Sequence, residues 1–135
     1  MSRLLFLGPL LLLVGCLAAP PRRIGPDGYL PEVAWTEAEL ARDVAARPLR
    51  EVDGLRILLV RLRTAEEPHT HPYEDLTVFV LEGAGQIHFG DRSHSMAAGD
   101  VIEIPAGVEH WAENTSARPA LAYAVFTPSA QPPRL

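Results

Sequence analysis

From residue 49 onward, the chain alternates short apolar runs with glycine-containing turns, and this pattern restricts the fold more than any other feature. The pairs Asp53-Gly54, Gly90-Asp91 and Gly99-Asp100 are typical of tight turns between antiparallel strands. Short strands at regular spacing, separated by such turns, predict an all-β sandwich or barrel with two facing antiparallel sheets. Besides a hairpin around Asp53-Gly54, the apolar runs predict strands at residues 76–82, 86–89, 101–104, 109–113 and 120–127.

The residues before this β region predict a linker and one short helix. Residues 16–35 are rich in proline and glycine, which is typical of a tether. Thr36 and Glu39 then match a capping box, so we expect a helix from about residue 36 to 46, packed outside the sheets. We assign residues 36–128 to a single domain, because this length supports one hydrophobic core, and residues 129–135 to a tail.

Residues 1–15 have the features of an export signal. An apolar run from Leu4 to Val14 is shorter than the roughly 20 residues that a membrane-spanning helix needs, but it fits the central region of a secretory signal. Leu13-Val14-Gly15-Cys16 resembles a bacterial lipobox, which implies cleavage after residue 15 and lipidation of Cys16. An aspartate directly after the cysteine would resemble a signal for retention at the inner membrane, but residue 17 is leucine. We therefore expect a lipid anchor at the cell envelope, on the periplasmic face of the outer membrane. Simple secretion and a retained membrane anchor are the alternatives.

The composition excludes several classes of protein. All 12 basic residues are arginine, so chemistry that needs a lysine amine, such as Schiff-base or pyridoxal phosphate catalysis, is excluded. The formal net charge is −5 and no stretch is strongly basic, which argues against a nucleic-acid partner. Cys16 is the single cysteine, so no disulfide can form within the chain.

Two histidines stand two positions apart near the start of the stretch 67–85. In a β-strand, residues i and i+2 point to the same face, so His69 and His71 would project side by side. Two imidazoles on one face form half of a metal site, although an isolated pair of this kind is more often an exposed polar pair. The rest of the chain must therefore supply further ligands.

The stretch 99–114 supplies a third histidine in a defined spacing. Gly99 opens a turn, Pro105 ends the strand that follows, and Gly107 turns the chain back before His110. With Asn114 the spacing reads G-x5-P-x-G-x2-H-x3-N, which is similar to the second motif of the cupin family. A chance match to five fixed positions is expected on the order of once in several million starts.

The stretch 67–85 resembles the first cupin motif, G-x5-H-x-H-x3-4-E-x6-G. His69, His71 and Gly83 match it, while Arg63 stands where the leading glycine would be. The resemblance, to a single-domain cupin of type 2, implies a small cupin-like β-barrel that brings His110 opposite His69 and His71. In such a barrel, three imidazoles and a carboxylate hold one divalent metal.

The acidic position departs from the first motif. After three intervening residues, Asp75 stands where the motif has glutamate, and we take it as the fourth ligand. A site of three histidines alone is the next alternative, followed by Glu74 as the ligand. Nitrogen and oxygen ligands of this kind suit Fe, Mn, Zn or Ni. Three or four protein ligands leave coordination positions open for a small molecule.

These features predict a small metalloenzyme, with a dioxygenase as the leading class and an isomerase or lyase as further options. The alternatives are a non-catalytic cupin that binds or senses a small ligand or a metal, and an envelope protein with a vestigial site. The expected partners are a small-molecule substrate, the membrane through the lipid anchor, and a second copy of the chain in a homodimer. We identify no catalytic residue beyond the ligands. His88 is expected to face solvent, and Trp111 to point away from the face of His110.

Overall fold

Two antiparallel sheets enclose an apolar interior in the computed structural model, which describes residues 21–130. In chain order its elements are β1 (Ile24–Gly25), β2 (Gly28–Tyr29), α1 (Glu37–Leu40), β3 (Val44–Val52), β4 (Leu55–Leu62), β5 (Glu74–Glu82), β6 (Ala84–Phe89), β7 (Arg92–Ala97), β8 (Val101–Ile104), β9 (Trp111–Asn114) and β10 (Ala120–Pro128). The larger sheet has the strand order β3-β4-β10-β5-β8, and the smaller sheet has the order β7-β6-β9. This architecture is the all-β arrangement of facing sheets that the sequence predicts.

The central strand β10 sets which side chains face the interior. Its inward residues Ala122, Ala124 and Phe126 pair on one side with alternate residues of β4 and on the other side with alternate residues of β5. The buried core combines side chains of both sheets, namely Leu76, Val80, Ile87, Met96, Ile104, Ala124 and Phe126. The two sheets are therefore held together by a shared apolar interior.

The hairpin between β3 and β4 has the turn that its sequence predicts. Asp53 has a φ of 48° and Gly54 a φ of 79°, so both central residues are in the left-handed region. A two-residue turn of this kind matches the twist of antiparallel strands, and Asp-Gly is one of its preferred sequences. The predicted hairpin is confirmed.

Four elements differ from the sequence-based expectations. The capping box is present, with the Glu39 amide bonded to the Thr36 hydroxyl, but α1 ends at Leu40 instead of continuing to about residue 46. Val44 already pairs with Leu62 in the large sheet, so strand pairing overrides the helical preference of the alanines that follow. Strand β7 was not predicted, and the two-residue strands β1 and β2 form a small hairpin within the expected tether.

Some sequence-based expectations concern residues outside the described range. These are the signal at residues 1–15, the lipidation of Cys16, the first residues of the tether and the end of the tail. Between residues 21 and 130, no helix has both the length and the apolar character that crossing a bilayer requires.

Candidate metal centre

The backbone brings the segment after β4 against the segment that leads into β9. His69 and His110 form an isolated antiparallel bridge, in which the His69 amide donates to the His110 carbonyl (3.0 Å) and the His110 amide donates to the His69 carbonyl (2.9 Å). The Gly107 amide donates to the His71 carbonyl at 2.9 Å, which ties the second histidine to the turn that precedes the third. The two sequence motifs therefore meet through main-chain hydrogen bonds.

The three histidine side chains converge inside the barrel. Their ring centroids lie 4.9 Å apart for His69 and His71, 4.5 Å for His69 and His110, and 5.3 Å for His71 and His110. Each ring offers one nitrogen, and these three nitrogens all lie within 4.8 Å of one another. Among the described residues, this cluster has the ligand types and the proximity that a metal ion requires, as the two motifs predicted.

Backbone carbonyls determine which nitrogen two of the rings present. The Nδ1 atom of His69 lies 2.8 Å from the carbonyl oxygen of Glu67, and Nδ1 of His110 lies 2.9 Å from that of Val108. Because a carbonyl oxygen can only accept a hydrogen bond, Nδ1 donates the proton in each of these bonds, which leaves Nε2 as the nitrogen through which the neutral ring can coordinate. Such outer hydrogen bonds orient metal-binding histidines and fix their tautomer.

Burial also keeps two of the rings, His71 and His110, uncharged at neutral pH. Burial lowers the pKa of His71 to about 4, and the neighbouring His110 and His69 contribute in the same direction. Burial likewise lowers the pKa of His110, although its bond to the Val108 carbonyl acts in the opposite direction. Since only a neutral imidazole can coordinate, these two rings are in the metal-binding form at pH 7. Imidazole ligands suit a divalent transition metal.

Phe126 packs against His71, and the ion pair of Arg56 and Glu74 lies next to Phe126. The Phe126 and His71 rings pack edge to face, with centroids 4.9 Å apart, and Cζ of Arg56 lies 4.5 Å from the Phe126 ring centroid. Arg56 donates to both carboxylate oxygens of Glu74, at 3.1 and 2.7 Å. Glu74, one of the alternative ligands, therefore forms a bidentate salt bridge with Arg56.

Asp75 does not join the histidine cluster. Its neighbour Leu76 is buried and lines the interior, so strand alternation directs Asp75 to the other side of β5. There Oδ1 of Asp75 accepts a hydrogen bond of 2.9 Å from the Ala106 amide, within the turn that leads to His110. As placed, Asp75 anchors this turn instead of completing the cluster, and the geometry fits the three-histidine alternative.

Asn114, the last residue of the second motif, also has a structural role. Its side-chain amide donates to the carbonyls of Arg63 and Arg118, each at 3.0 Å. The Asn114 backbone amide in turn donates to the Thr64 carbonyl at 2.7 Å. Asn114 therefore fastens the end of β9 to the segment that carries the first two histidines.

The cluster forms part of the wall of a cavity of about 220 Å³ between the sheets. Of the described residues that line it, the charged or polar ones are Glu66, His69, His71 and His110, and every other one is Ala, Val, Leu, Ile, Met or Phe. Glu66 was not singled out from the sequence. It lies in an irregular segment without strand periodicity, so nothing in the pattern indicates which way its side chain points.

Two other expectations concern the outer face of the small sheet. His88 is not fully exposed, because it stacks on Trp111 with centroids 4.6 Å apart and ring planes 2° from parallel. Its Nε2 lies 3.6 Å from a Glu113 carboxylate oxygen. Trp111 does point away from the face of His110, since His110 lines the cavity and Trp111 does not.

Comparisons with known proteins agree with the fold and with the motifs. The family described as Cupin domain (Cupin_2) matches residues 58–126. An uncharacterised protein of Aquifex aeolicus is 37% identical over 81 residues, which cover 60% of this chain and 66% of that protein. The acireductone dioxygenase of Gluconobacter oxydans is 36% identical over 62 residues, which cover 44% of this chain and 33% of the dioxygenase.

A solved structure shows the same architecture. The protein TT1209 from Thermus thermophilus superposes with a TM-score of 0.58 at 29% identity, and the match covers 70% of this chain and 96% of that protein. The chain spans about two thirds of the Aquifex relative and about one third of the dioxygenase, so the sequence similarity concerns the barrel itself.

Proposed function

Because the chain belongs to the cupin family, whose domain matches residues 58–126, we propose that it is a small metalloenzyme with a dioxygenase as its leading class. In this proposal His69, His71 and His110 bind one divalent transition metal, and a small organic molecule occupies the adjoining cavity. The observation that carries the proposal is the convergence of three imidazoles, two of them with Nδ1 held by a backbone carbonyl.

Each part of the site has a defined task. The three histidines would hold the metal, and the bridge between His69 and His110 keeps their backbones in register. When bound, such a metal supplies Lewis-acid or redox chemistry and keeps coordination positions for molecules from outside the protein. The apolar wall excludes water and places the body of the organic molecule beside the histidines. The similarity to an acireductone dioxygenase supports a dioxygenase as the leading class.

The decisive experiment measures metal content and affinity. We expect untagged wild-type protein to bind one equivalent of Zn²⁺ or Fe²⁺ in calorimetric titrations, and His110→Ala to lose most of that affinity. His94→Ala is the matched control, because His94 is an exposed histidine on β7 and should leave binding unchanged. Equal metal binding by wild type and by a variant that lacks all three clustered histidines would refute the metal site.

A non-catalytic role in binding or sensing a ligand is the second candidate. It is supported by the wall of the cavity, where Glu66 is the one carboxylate among the described lining residues. Oxygen-consumption assays of the Fe²⁺-loaded protein with small enols and diketones separate the two roles, since a sensor would bind without turnover.

We also propose that the mature chain is exported and anchored at the cell envelope through a lipid on Cys16. This proposal is supported by Leu13-Val14-Gly15-Cys16 after the apolar run. Self-association as a homodimer stays a prediction, which light scattering coupled to gel filtration can measure.

A further inference from the structure

We propose that Glu66 selects the ligand of the cavity. The site takes a small, largely apolar molecule that presents a hydrogen-bond donor to the Glu66 carboxylate, and the same carboxylate disfavours an anion at that position. The inference rests on the proposed function, because it describes the molecule that shares the cavity with the metal. Its structural basis is the size of the cavity, the distribution of its polar groups and the way in which Glu66 is held.

The size of the cavity limits the ligand. Its volume is about 220 Å³, and it lies between the two sheets, with Leu58, Val78 and Ile102 among its lining residues. An apolar cavity of roughly 150 Å³ is enough to bind benzene. One ring or a short branched chain with a small polar group therefore fits within this volume.

The polar groups are confined to one part of the wall. His69, His71 and His110 turn toward one another, so their free nitrogens serve the metal. Glu66 is the remaining charged or polar side chain among the described residues that line the cavity. A ligand that reaches past the histidines thus meets apolar side chains and one carboxylate. Because a carboxylate only accepts hydrogen bonds, it favours a donor and repels an anion.

The backbone fixes the position of Glu66. Its amide donates to the Ala112 carbonyl at 2.9 Å, and the Ala112 amide donates to Oε2 of Glu66, also at 2.9 Å. An ionised carboxylate offers about four acceptor sites, and the Ala112 amide occupies one of them. The group is therefore oriented in advance and keeps acceptor capacity for a ligand. No arginine in residues 21–130 lies within ion-pair distance of Glu66, so the chain does not neutralise its charge there.

The experiment compares two ligands of equal shape in two proteins of equal shape. Benzamide and benzoate differ in whether the polar end donates hydrogen bonds or carries a negative charge, and Glu66→Gln removes the charge of the wall. Glutamine keeps an oxygen for the Ala112 amide, so the fold should be retained. Glu67→Gln is the control, because Glu67 is the exposed neighbour and does not line the cavity.

Dissociation constants are measured by ligand-observed NMR on Zn²⁺-loaded and on metal-free protein. We expect Glu66→Gln to shift the ratio of benzoate to benzamide affinity about tenfold toward benzoate, and Glu67→Gln to leave it within about twofold. The same ratio in wild type and in Glu66→Gln would overturn the inference. Failure of benzamide to bind wild type would also overturn it.

A zinc titration separates this inference from the proposed function. Glu66→Gln should bind zinc with the stoichiometry of wild type, because Glu66 lies outside the histidine cluster. Loss of zinc binding by this variant would make Glu66 a ligand and overturn its role as a selector. If wild type itself takes up no zinc, the proposed function fails, while the comparison on metal-free protein still decides the role of Glu66.

Discussion

Replacing Asp75 by alanine should destabilise the protein and leave the proposed metal binding largely intact. The Asp75 side chain accepts a hydrogen bond of 2.9 Å from the amide of Ala106, a residue that is only 6% exposed. Without this acceptor, the buried amide loses its partner, which costs about 1–3 kcal/mol. A loss of about 2 kcal/mol lowers the Tm of a domain of this size by roughly 8 °C or more.

Asp75→Asn distinguishes an anchor of the turn from a metal ligand. Asparagine keeps an oxygen for the Ala106 amide, so we expect a loss of stability below about 1 kcal/mol and a zinc affinity within about threefold of wild type. Thermal and urea denaturation give the stability, and calorimetry gives the affinity. Asp100→Ala is a suitable control, because Asp100 accepts a comparable bond from the Ala97 amide at an exposed turn. A hundredfold loss of zinc affinity in Asp75→Asn, with stability unchanged, would show that Asp75 is a ligand after all.

Three further predictions test other parts of the molecule. In metal-free protein, the free energy of unfolding should fall as the pH drops from 6.5 toward about 4, because in this range the unfolded chain binds a proton that folded His71 does not. His71→Leu should make the free energy of unfolding, measured by urea titration, less dependent on pH, and an unchanged slope would contradict the lowered pKa of His71. Gly85→Ala should cost about 2 kcal/mol or more in calorimetric unfolding, because its Cβ would lie 2.0 Å from the Glu113 carbonyl oxygen, and an unchanged Tm would refute this contact. Cys16→Ala should abolish labelling by radioactive palmitate and release the protein from the membrane fraction, whereas unaltered labelling would refute the lipoprotein assignment.

The three-histidine cluster could be predicted from the sequence because the number of residues between its members is itself diagnostic. Gly107 and His110 are separated by the number of residues that the second motif requires, and His69 and His71 lie two positions apart. The resemblance to the two cupin motifs therefore implied how the three rings are arranged. The direction of Asp75 could not be obtained in this way, since it depends on where strand β5 begins. Glu66 was missed because its orientation is imposed by pairing with Ala112, which is distant in sequence.

The elements were predictable to the extent that burial leaves a pattern. Strands β4, β5 and β10 carry alternating inward apolar residues, and the sequence located them to within a few residues. Strand β7 carries one buried residue, Met96, among exposed polar ones, so hydrophobic periodicity could not reveal it. Its pairing with β6 is a tertiary effect. The length of the helix was overestimated for the same reason, since Val44 pairs with Leu62 in the large sheet.

The bridge between His69 and His110 joins positions that lie 41 residues apart in the chain. Such a contact closes a long loop, so we expect it to form after the rate-limiting step of folding. A metal held there would bind the native state and leave the folding rate unchanged, so its stabilisation would appear as slower unfolding. At a free metal concentration of 100 times Kd, the gain of about 2.7 kcal/mol corresponds to an unfolding rate about a hundredfold lower. The metal would thus determine how long a folded molecule persists in the presence of proteases.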